Sequence, residues 1–314
     1  MIIAPEYLYL KIKVSLLFMP YGEFMKSRSA SAVIGGALVL FSALCYAWMP
    51  VLAKFAYGTG LEPHSVLILR YLFTIIILFI FMKLRGEKGV SLSLSLVAQG
   101  VFFTAGGLFF FYSLKSINAG LSIIIFFSHP VIISLIAVLI LDEKLSLGHA
   151  AGLGFAVAGI LLIYLSGGEE IRVSRGGILF SLASSLCYSF YSLLGERNLK
   201  STGSSAITTA MAFIGLVIVI PMFYERLGFF INLSAQQVTI VLAMSVVSTM
   251  LSVIFFLEGV KRLGAARASI AGMAEPVFVA LIAYLFLGEV LTITEGAGSL
   301  MILTGVGISV SSRL

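Results

Sequence analysis

Residues 130–145, PVIISLIAVLILDEKL, return in the second half of the chain as residues 276–291, PVFVALIAYLFLGEVL. When 129–164 is aligned with 275–310, the two stretches share 12 identities in 36 positions without a gap. Self-similarity at a fixed offset indicates an internal repeat. The chain is therefore predicted to consist of two homologous halves.

The composition places most of the chain in lipid. Of its 314 residues, 60% are hydrophobic and 11% are charged, whereas soluble domains carry about 25% charged residues. The net charge of +6 does not indicate nucleic-acid binding, because the basic residues stand singly between apolar runs and form no patch. Cys45 and Cys187 lie inside apolar runs without disulfide or metal-site spacing. We expect no cofactor and no metal.

Ten apolar segments follow one another with mostly short connections. A membrane-spanning helix needs about 20 largely apolar residues, and these runs lack the two-residue alternation of barrel strands. The predicted spans, numbered 1 to 10 in chain order, are 32–54, 64–84, 94–114, 119–141, 147–166, 176–196, 204–224, 237–257, 266–287 and 295–312. The predicted fold class is an all-α integral membrane protein.

The repeat assigns five spans to each half. A second match, at an offset of 142, pairs Tyr46 with Tyr188 and extends the similarity to the first span of each half. The predicted halves are residues 31–170 and 171–314, preceded by residues 1–30. This leading segment is either a cytoplasmic or interfacial segment or, for residues 1–24, an extension from an upstream start. Because five is an odd number, the second half must enter the membrane from the opposite side, which makes the repeat inverted.

The distribution of Lys and Arg predicts the orientation of the chain, since cytoplasmic loops are enriched in both. With the N-terminus in the cytoplasm, 14 of these residues fall on the inner side and one, Arg70, lies inside a span. The outer side then holds five, which are Lys54, Lys115, Arg172, Arg175 and Arg226. Both termini are therefore predicted to be cytoplasmic.

An inverted repeat has a mechanical consequence. Two halves related by an axis in the membrane plane can exchange conformations, so that the centre opens first to one side and then to the other. This is alternating access, with a substrate site near the midplane between the halves. The repeat alone therefore favours a secondary transporter.

The repeated motif also resembles that of a known family. Each half has a Lys after its third span, a Pro-Val pair within its fourth span and a Leu-x-Glu at the end of that span. The second copy, 275–289, is similar to the signature of the drug/metabolite transporter superfamily, in particular its ten-helix EamA-type branch. The resemblance covers roughly residues 30–312. The first copy departs from it, with Asp142 in place of Gly and His129 where the second copy often has Glu.

The resemblance implies a central cavity lined by spans 1, 3, 4, 6, 8 and 9, with spans 5 and 10 at the periphery. It implies export, uptake or exchange of amino acids, other small metabolites or toxic organic compounds, driven by an ion gradient or by exchange. The sequence contains no phosphate-binding loop of the Gly-x-x-x-x-Gly-Lys-Ser/Thr type, which agrees with transport that does not use ATP.

Two ionisable residues at equivalent positions are the first candidates for function. His129 and Glu275 each lie mid-span and each precede a proline, Pro130 or Pro276. A proline removes a backbone donor, and the freed carbonyl can be satisfied by substrate, water or a neighbouring side chain. An unpaired charge at this depth costs about 2.5–3.5 kcal/mol. Glu275 must therefore face a wet cavity, pair with a cation or stay protonated, as a coupling site or as a structural acid.

Other candidates leave alternatives open. His129 either titrates near neutral pH or acts as a neutral hydrogen-bonding group between helices. Arg70 either neutralises an anionic substrate, pairs with Glu62, or extends to the interface. Aromatic residues on the implied cavity helices either bind a planar or cationic substrate or fill space between helices; they are Tyr46, Trp48, Tyr112, Tyr188 and Tyr191.

These observations predict a secondary transporter of small organic metabolites, such as amino acids or related compounds, in the inner or plasma membrane. Export or exchange, coupled to a gradient of protons or another ion, is the expectation from the family resemblance. A passive channel or a flippase for lipid-linked intermediates is the alternative. A membrane enzyme using His129 and Glu275 as base and acid is disfavoured, because no metal triad or nucleophile motif is present. The sequence leaves the oligomeric state open.

Overall fold

The computed structural model describes residues 28–84, 86, 92–117, 119–139, 146–165, 174–287 and 292–312. Most of this part of the chain is helical, and it contains no strand. The first 27 residues lie outside the described residues, and so do the glutamates Glu143 and Glu289 at the ends of the repeated motif.

Ten helical segments of the described chain are long and apolar enough to cross a membrane, which confirms the all-α membrane fold class. Spans 1 to 5 consist of Arg28–Gly58, Pro63–Leu84, Leu94–Ser116, the pair Ala119–Phe126 and His129–Leu139, and Leu147–Leu165. Spans 6, 7, 9 and 10 consist of Arg175–Asn198, Ser204–Met222, the pair Ala265–Gly272 and Glu275–Leu287, and Ile293–Ser311. Span 8 joins Ala235–Met244, a π-helical segment Ser245–Leu251 and Ser252–Leu263.

Spans 4 and 9 are broken at equivalent places. In each span the helix stops for two residues and resumes at the residue before the proline, at His129 in the first half and at Glu275 in the second. A proline has no backbone N–H, so the carbonyl four residues earlier loses its helical donor. That carbonyl belongs to Phe126 in span 4 and to Gly272 in span 9. Both breaks thus follow from the proline chemistry in the sequence.

The packing of the spans has the symmetry that the repeat predicts. Span 1 packs along span 8 and span 3 along span 6, while span 2 packs on span 7 and span 5 on span 10. If each span is replaced by its repeat partner, the pair of spans 1 and 8 becomes the pair of spans 6 and 3. The pairs 2 and 7 and 5 and 10 are unchanged.

Two interhelical hydrogen bonds have the same symmetry. Ser42 Oγ donates to the Ser252 carbonyl at 2.6 Å, and Ser184 Oγ donates to the Gly106 carbonyl at 2.8 Å. Ser42 and Ser184 are 142 residues apart, and the two carbonyls are 146 residues apart, which are the offsets of the repeat. The structure is therefore consistent with the inverted repeat at the level of single bonds.

Close backbone contact joins spans 5 and 10, away from the centre. A Cβ atom on Gly152 would lie 2.6 Å from the carbonyl oxygen of Gly305, and one on Gly298 would lie 2.7 Å from that of Gly159. Only glycine permits this approach, as in other tightly packed membrane helices.

One feature of span 8 breaks the symmetry. Residues Ser245–Leu251 form a π-helix, whereas the equivalent residues 99–105 of span 3 are α-helical. The π-helical segment packs against spans 1 and 2, and the Thr74 hydroxyl donates to the Ser245 carbonyl at 3.5 Å. Such segments often occur at functional sites. The sequence analysis did not predict it.

Candidate functional site

The centre of the molecule is a group of rings from spans 3, 4, 6 and 8. Tyr188 has its ring centroid 4.5 Å from that of His129, 5.1 Å from that of Tyr191 and 5.3 Å from that of Phe126. Tyr191 also contacts the rings of Phe103 and Phe256. We call these six residues the aromatic cluster: Phe103, Phe126, His129, Tyr188, Tyr191 and Phe256. Two of its members, His129 and Phe126, flank the break in span 4.

His129 closes the break in its own span. The side chain is 3% exposed, and its Nδ1 lies 3.0 Å from the Phe126 carbonyl oxygen, which is the carbonyl freed by Pro130. A carbonyl can only accept, so Nδ1 must carry the hydrogen and donate it. This geometry supports the hydrogen-bonding alternative for His129, with Nε2 left as the acceptor nitrogen of a neutral ring.

Glu275 has different surroundings at the equivalent position. None of the ion pairs in the described part of the chain reaches Glu275, and the side chain is only partly buried. Of the three environments expected for this residue, pairing with a cation of the protein is therefore not seen among the described residues.

The carbonyl freed by Pro276 belongs to Gly272. No side-chain donor of the described residues bonds to it, in contrast to the Phe126 carbonyl, which accepts from His129. A Cβ atom built on Gly272 would meet nothing within 4 Å, so there is open space beside this residue. A carboxylate and a carbonyl can both accept hydrogen bonds from an ammonium group or a water, and the carboxylate can also bind a proton.

Tyr46 packs against the same hydrophobic core as Tyr188 and Tyr191. Its hydroxyl and that of Tyr191 are buried, and neither makes a hydrogen bond of standard geometry to the described residues. Buried polar groups without partners are uncommon in native proteins, so these two hydroxyls are candidates for contact with a substrate.

Arg70 is a buried cation on span 2. Its side chain is 5% exposed, Nη1 lies 3.4 Å from Met49 Sδ, and Cζ lies 5.4 Å from the centre of the Tyr71 ring. Its Nε has no hydrogen-bond partner among the described residues. Arg70 therefore contacts span 1 at Met49, which is three residues after Tyr46 in the chain.

Two predicted site residues lie elsewhere. Trp48 packs against span 9, with its ring 4.9 Å from that of Phe286 and outside the aromatic cluster. Tyr112 is 40% exposed, and it lines a pocket at the predicted external end together with Glu62, His64, Leu67, Leu108, Phe111, Phe223 and Arg226. The structure brings His129, Tyr188 and Tyr191 into ring contact, with Tyr46 packed against the same core, whereas Trp48 and Tyr112 lie outside this cluster.

Several residues of the site were missed in the sequence. Gly272 could have been found, because it stands four residues before Pro276 and so supplies the freed carbonyl. Phe126 stands in the same relation to Pro130. Phe103 and Phe256 had no signal that separates them from other aromatic residues in apolar spans. Among the described residues, no group of three or more His, Cys, Asp or Glu side chains is placed to hold a metal ion.

Known proteins resemble this chain over most of its length. The chain is 28% identical over 289 residues to the uncharacterized transporter YcbK of Bacillus subtilis, covering 87% of this chain and 91% of that protein. It is 26% identical over 291 residues to the uncharacterized inner membrane transporter YicL of Salmonella typhimurium, covering 88% and 95%. A solved crystal structure with 16% sequence identity superposes with a TM-score of 0.74 over 91% of this chain and 99% of that one.

The family comparison also bears on the repeat. The sequence model of the EamA-like transporter family matches twice, at residues 33–165 and again at 175–311, so that each half is recognised separately. Together with the ten spans, this makes the molecule a multi-pass membrane transporter with a small-molecule substrate, and it confirms the resemblance read from the repeated motif. The chain belongs to the EamA-like transporter family.

Proposed function

We propose that this protein is a secondary transporter of small organic metabolites, such as amino acids or related compounds, and that it exports or exchanges them by alternating access. Transport is coupled to a gradient of protons or another ion. The two halves, residues 31–170 and 171–314, are the units that move against each other. The protein lies in the inner or plasma membrane with both termini in the cytoplasm.

The environment of Glu275 is the observation on which this proposal depends. A carboxylate at mid-span, without a protein cation beside it among the described residues and next to open space at Gly272, is suited to binding a proton or a cationic group reversibly. Intramembrane carboxylates with this exposure are typical of ion and proton pathways. A structural acid would instead have its hydrogen bonds satisfied by neighbouring groups.

The symmetric packing supports alternating access. Spans 1 and 8 on one side of the centre, and spans 3 and 6 on the other, make equivalent contacts. If the two contacts exchange their geometries, the centre changes the side to which it opens, while the aromatic cluster and Glu275 stay at the midplane. When the coupling ion binds at Glu275, its movement is coupled to this change of opening. The reason is that ion binding changes the charge that must be carried across the membrane.

Reconstituted protein tests the proposal. Proteoliposomes loaded with a mixture of amino acids, nucleosides, polyamines and vitamins, with an imposed pH gradient, should lose particular compounds faster than protein-free vesicles. Unlabelled compound on the opposite side should then accelerate the flux of the same labelled compound. This acceleration distinguishes a carrier from a channel, whose flux would not respond, and flux of a fluorescent lipid instead would identify a flippase.

The orientation can be checked independently. A cysteine or an epitope tag in the loop between spans 5 and 6 should be accessible from outside intact cells, whereas a tag at either terminus should not be. A loop that reacts only in opened cells, on the same side as both termini, would contradict the inverted arrangement.

A further inference from the structure

The direction of the Arg70 side chain separates the roles that the sequence allows for it. Arg70 follows the start of the span 2 helix at Pro63 by seven residues, at the predicted external end. Its guanidinium contacts Met49, which lies nine residues before the end of the span 1 helix at Gly58. At about 1.5 Å per residue, this contact is roughly 13 Å below the end of that helix. The side chain therefore points toward the middle of the bundle and does not extend to the interface.

Pairing with Glu62 does not occur in the structure. The Glu62 carboxylate instead lies 3.2 Å from His64 Nδ1 and 3.3 Å from Arg226 Nη1. These contacts hold Glu62 at the external end, above the position that the guanidinium of Arg70 reaches. Of the three alternatives for Arg70, neutralisation of an anionic substrate is the one that remains.

The guanidinium is also incompletely satisfied. Arg70 stays protonated in proteins, and a buried charge without a counter-charge is strongly unfavourable. Among the described residues no carboxylate lies within 4 Å of it, its Nη1 contacts only the weak acceptor Sδ of Met49, and its Nε has no partner. An anion that entered this region would supply the missing acceptors in the two-pronged geometry that guanidinium groups favour.

The single positive charge of Arg70 limits how much negative charge a bound anion can carry. Arg70 is the only Lys or Arg that the sequence places well inside a span, and it therefore offers a single positive charge at this depth. A carboxylate carries one negative charge and matches the planar fork of one guanidinium. A phosphate monoester carries close to two charges at neutral pH, so that one would remain unbalanced.

We propose that Arg70 binds the carboxylate group of the transported molecule, and that the substrates are therefore small organic carboxylates. The inference rests on the proposed transport function and specifies its substrate class. Arg70 stands in the first half of the chain and Glu275 in the second. The carboxylate end of the substrate thus contacts the first half, and any amino group contacts the acceptors at Glu275 and Gly272.

Arg226 provides a matched control for Arg70. It is largely exposed and pairs with Glu62 at the predicted external end, whereas Arg70 is buried. Its replacement therefore removes an exposed charge without altering the buried group.

Ligand-dependent stabilisation of the purified protein tests the proposal. The probes are the 20 proteinogenic L-amino acids, each compared with its carboxamide and with the corresponding amino-free carboxylic acid, at constant ionic strength in detergent. We expect at least one acid to raise the unfolding temperature of the wild-type protein, and its carboxamide to bind about tenfold to 100-fold more weakly. The variant Arg70→Met should lose this preference, Arg70→Lys should keep part of it, and Arg226→Met should keep all of it.

Each possible outcome of this experiment either supports or contradicts the proposal. If an acid and its carboxamide stabilise the wild-type protein equally, or if Arg70→Met retains the preference, the assignment of Arg70 is wrong while the transport proposal stands. If none of the carboxylates binds, the substrate class is wrong, and the flux assays decide separately on transport.

Without ligand, Arg70→Met should unfold at the same or a higher temperature than the wild-type protein, because it removes an uncompensated charge. A large decrease would show that Arg70 has a structural partner and would also overturn the proposal.

Discussion

His129 and Glu275 begin the second helix of spans 4 and 9, each directly before a proline and each three residues after the carbonyl that the proline leaves free. In the first half, the imidazole donates to this carbonyl and is enclosed by Phe126, Phe127 and Tyr188. In the second half, the carboxylate has no ion-pair partner among the described residues, and a Cβ atom on Gly272 would meet none of their atoms within 4 Å.

The comparison shows how duplicated positions can separate their roles while the fold keeps its symmetry. The backbone break is the same in both halves, because it is a consequence of the proline. The residue before the proline then determines whether a side chain can satisfy the freed carbonyl. His129 donates to it in the first half, whereas an ionised Glu275 has no hydrogen to donate.

The largest expected effect is on the coupling of transport to the ion gradient, through Glu275 in the second half. Glu275→Gln keeps the size of the side chain and removes its charge, so a substrate amine or a coupling ion loses its charged acceptor. A hydrogen bond to a charged group contributes about 1.5–3 kcal/mol, which corresponds to a decrease of roughly tenfold to 100-fold in gradient-driven flux. The measurement is flux in proteoliposomes with an imposed pH gradient.

Glu295→Gln is the matched control for this substitution. Glu295 forms the capping box of span 10 with Thr292, and a glutamine can form the same box. Transport by this variant should equal that of the wild-type protein. Normal gradient-driven flux in Glu275→Gln would remove the main support for a coupling role.

An exchange of the two residues tests whether the halves are equivalent. In the double variant His129→Glu/Glu275→His, both side chains remain in the molecule but change positions. We expect flux to stay at the level of Glu275→Gln, because the glutamate would enter the aromatic cluster and the imidazole would close the break in span 9. Recovery of half or more of the wild-type flux would mean that the position of the carboxylate does not matter and that the comparison is wrong.

Substitution in the first half should affect stability more than transport. His129→Phe keeps a ring in the aromatic cluster but leaves the Phe126 carbonyl without its donor, at a cost of about 1–3 kcal/mol. The unfolding free energy in detergent should fall by this amount, and flux per folded molecule should change by less than about threefold. His129→Asn, whose side-chain amide can still donate, should recover part of the stability. Loss of gradient coupling in His129→Phe would instead assign this residue a role in proton transfer.

The smallest expected effect concerns the symmetric serine bonds. Ser42→Ala and Ser184→Ala each remove one bond between a hydroxyl and a carbonyl of the neighbouring span, which contributes about 0.5–1.5 kcal/mol. The two losses of unfolding free energy should be similar and should add in the double variant, because the two bonds share no partner. A clear inequality would show that the π-helical segment beside Ser252 makes the two contacts energetically different.

Part of the site could be predicted from the sequence. Glu275, His129 and Tyr188 were found because the repeat and the prolines mark their positions, and His129 and Tyr188 are in ring contact in the structure. Trp48 and Tyr112 were selected by their residue type and by the spans they belong to, and they lie outside the aromatic cluster. A span is apolar on all sides, so its sequence lacks the one-sided pattern that shows which face of a soluble helix is buried.

The sequence by itself determined the features that depend on local chemistry. The apolar length of each segment specifies a span, the two prolines specify the breaks, and the odd number of spans in each half makes the repeat inverted. Only the tertiary structure decided which side chains meet at the centre, that Arg70 points inward, that Gly272 borders open space and that span 8 contains a π-helical segment. These features depend on how far each helix is rotated and shifted against its neighbours, and that is determined by close packing between spans, because lipid offers the same apolar environment to every face.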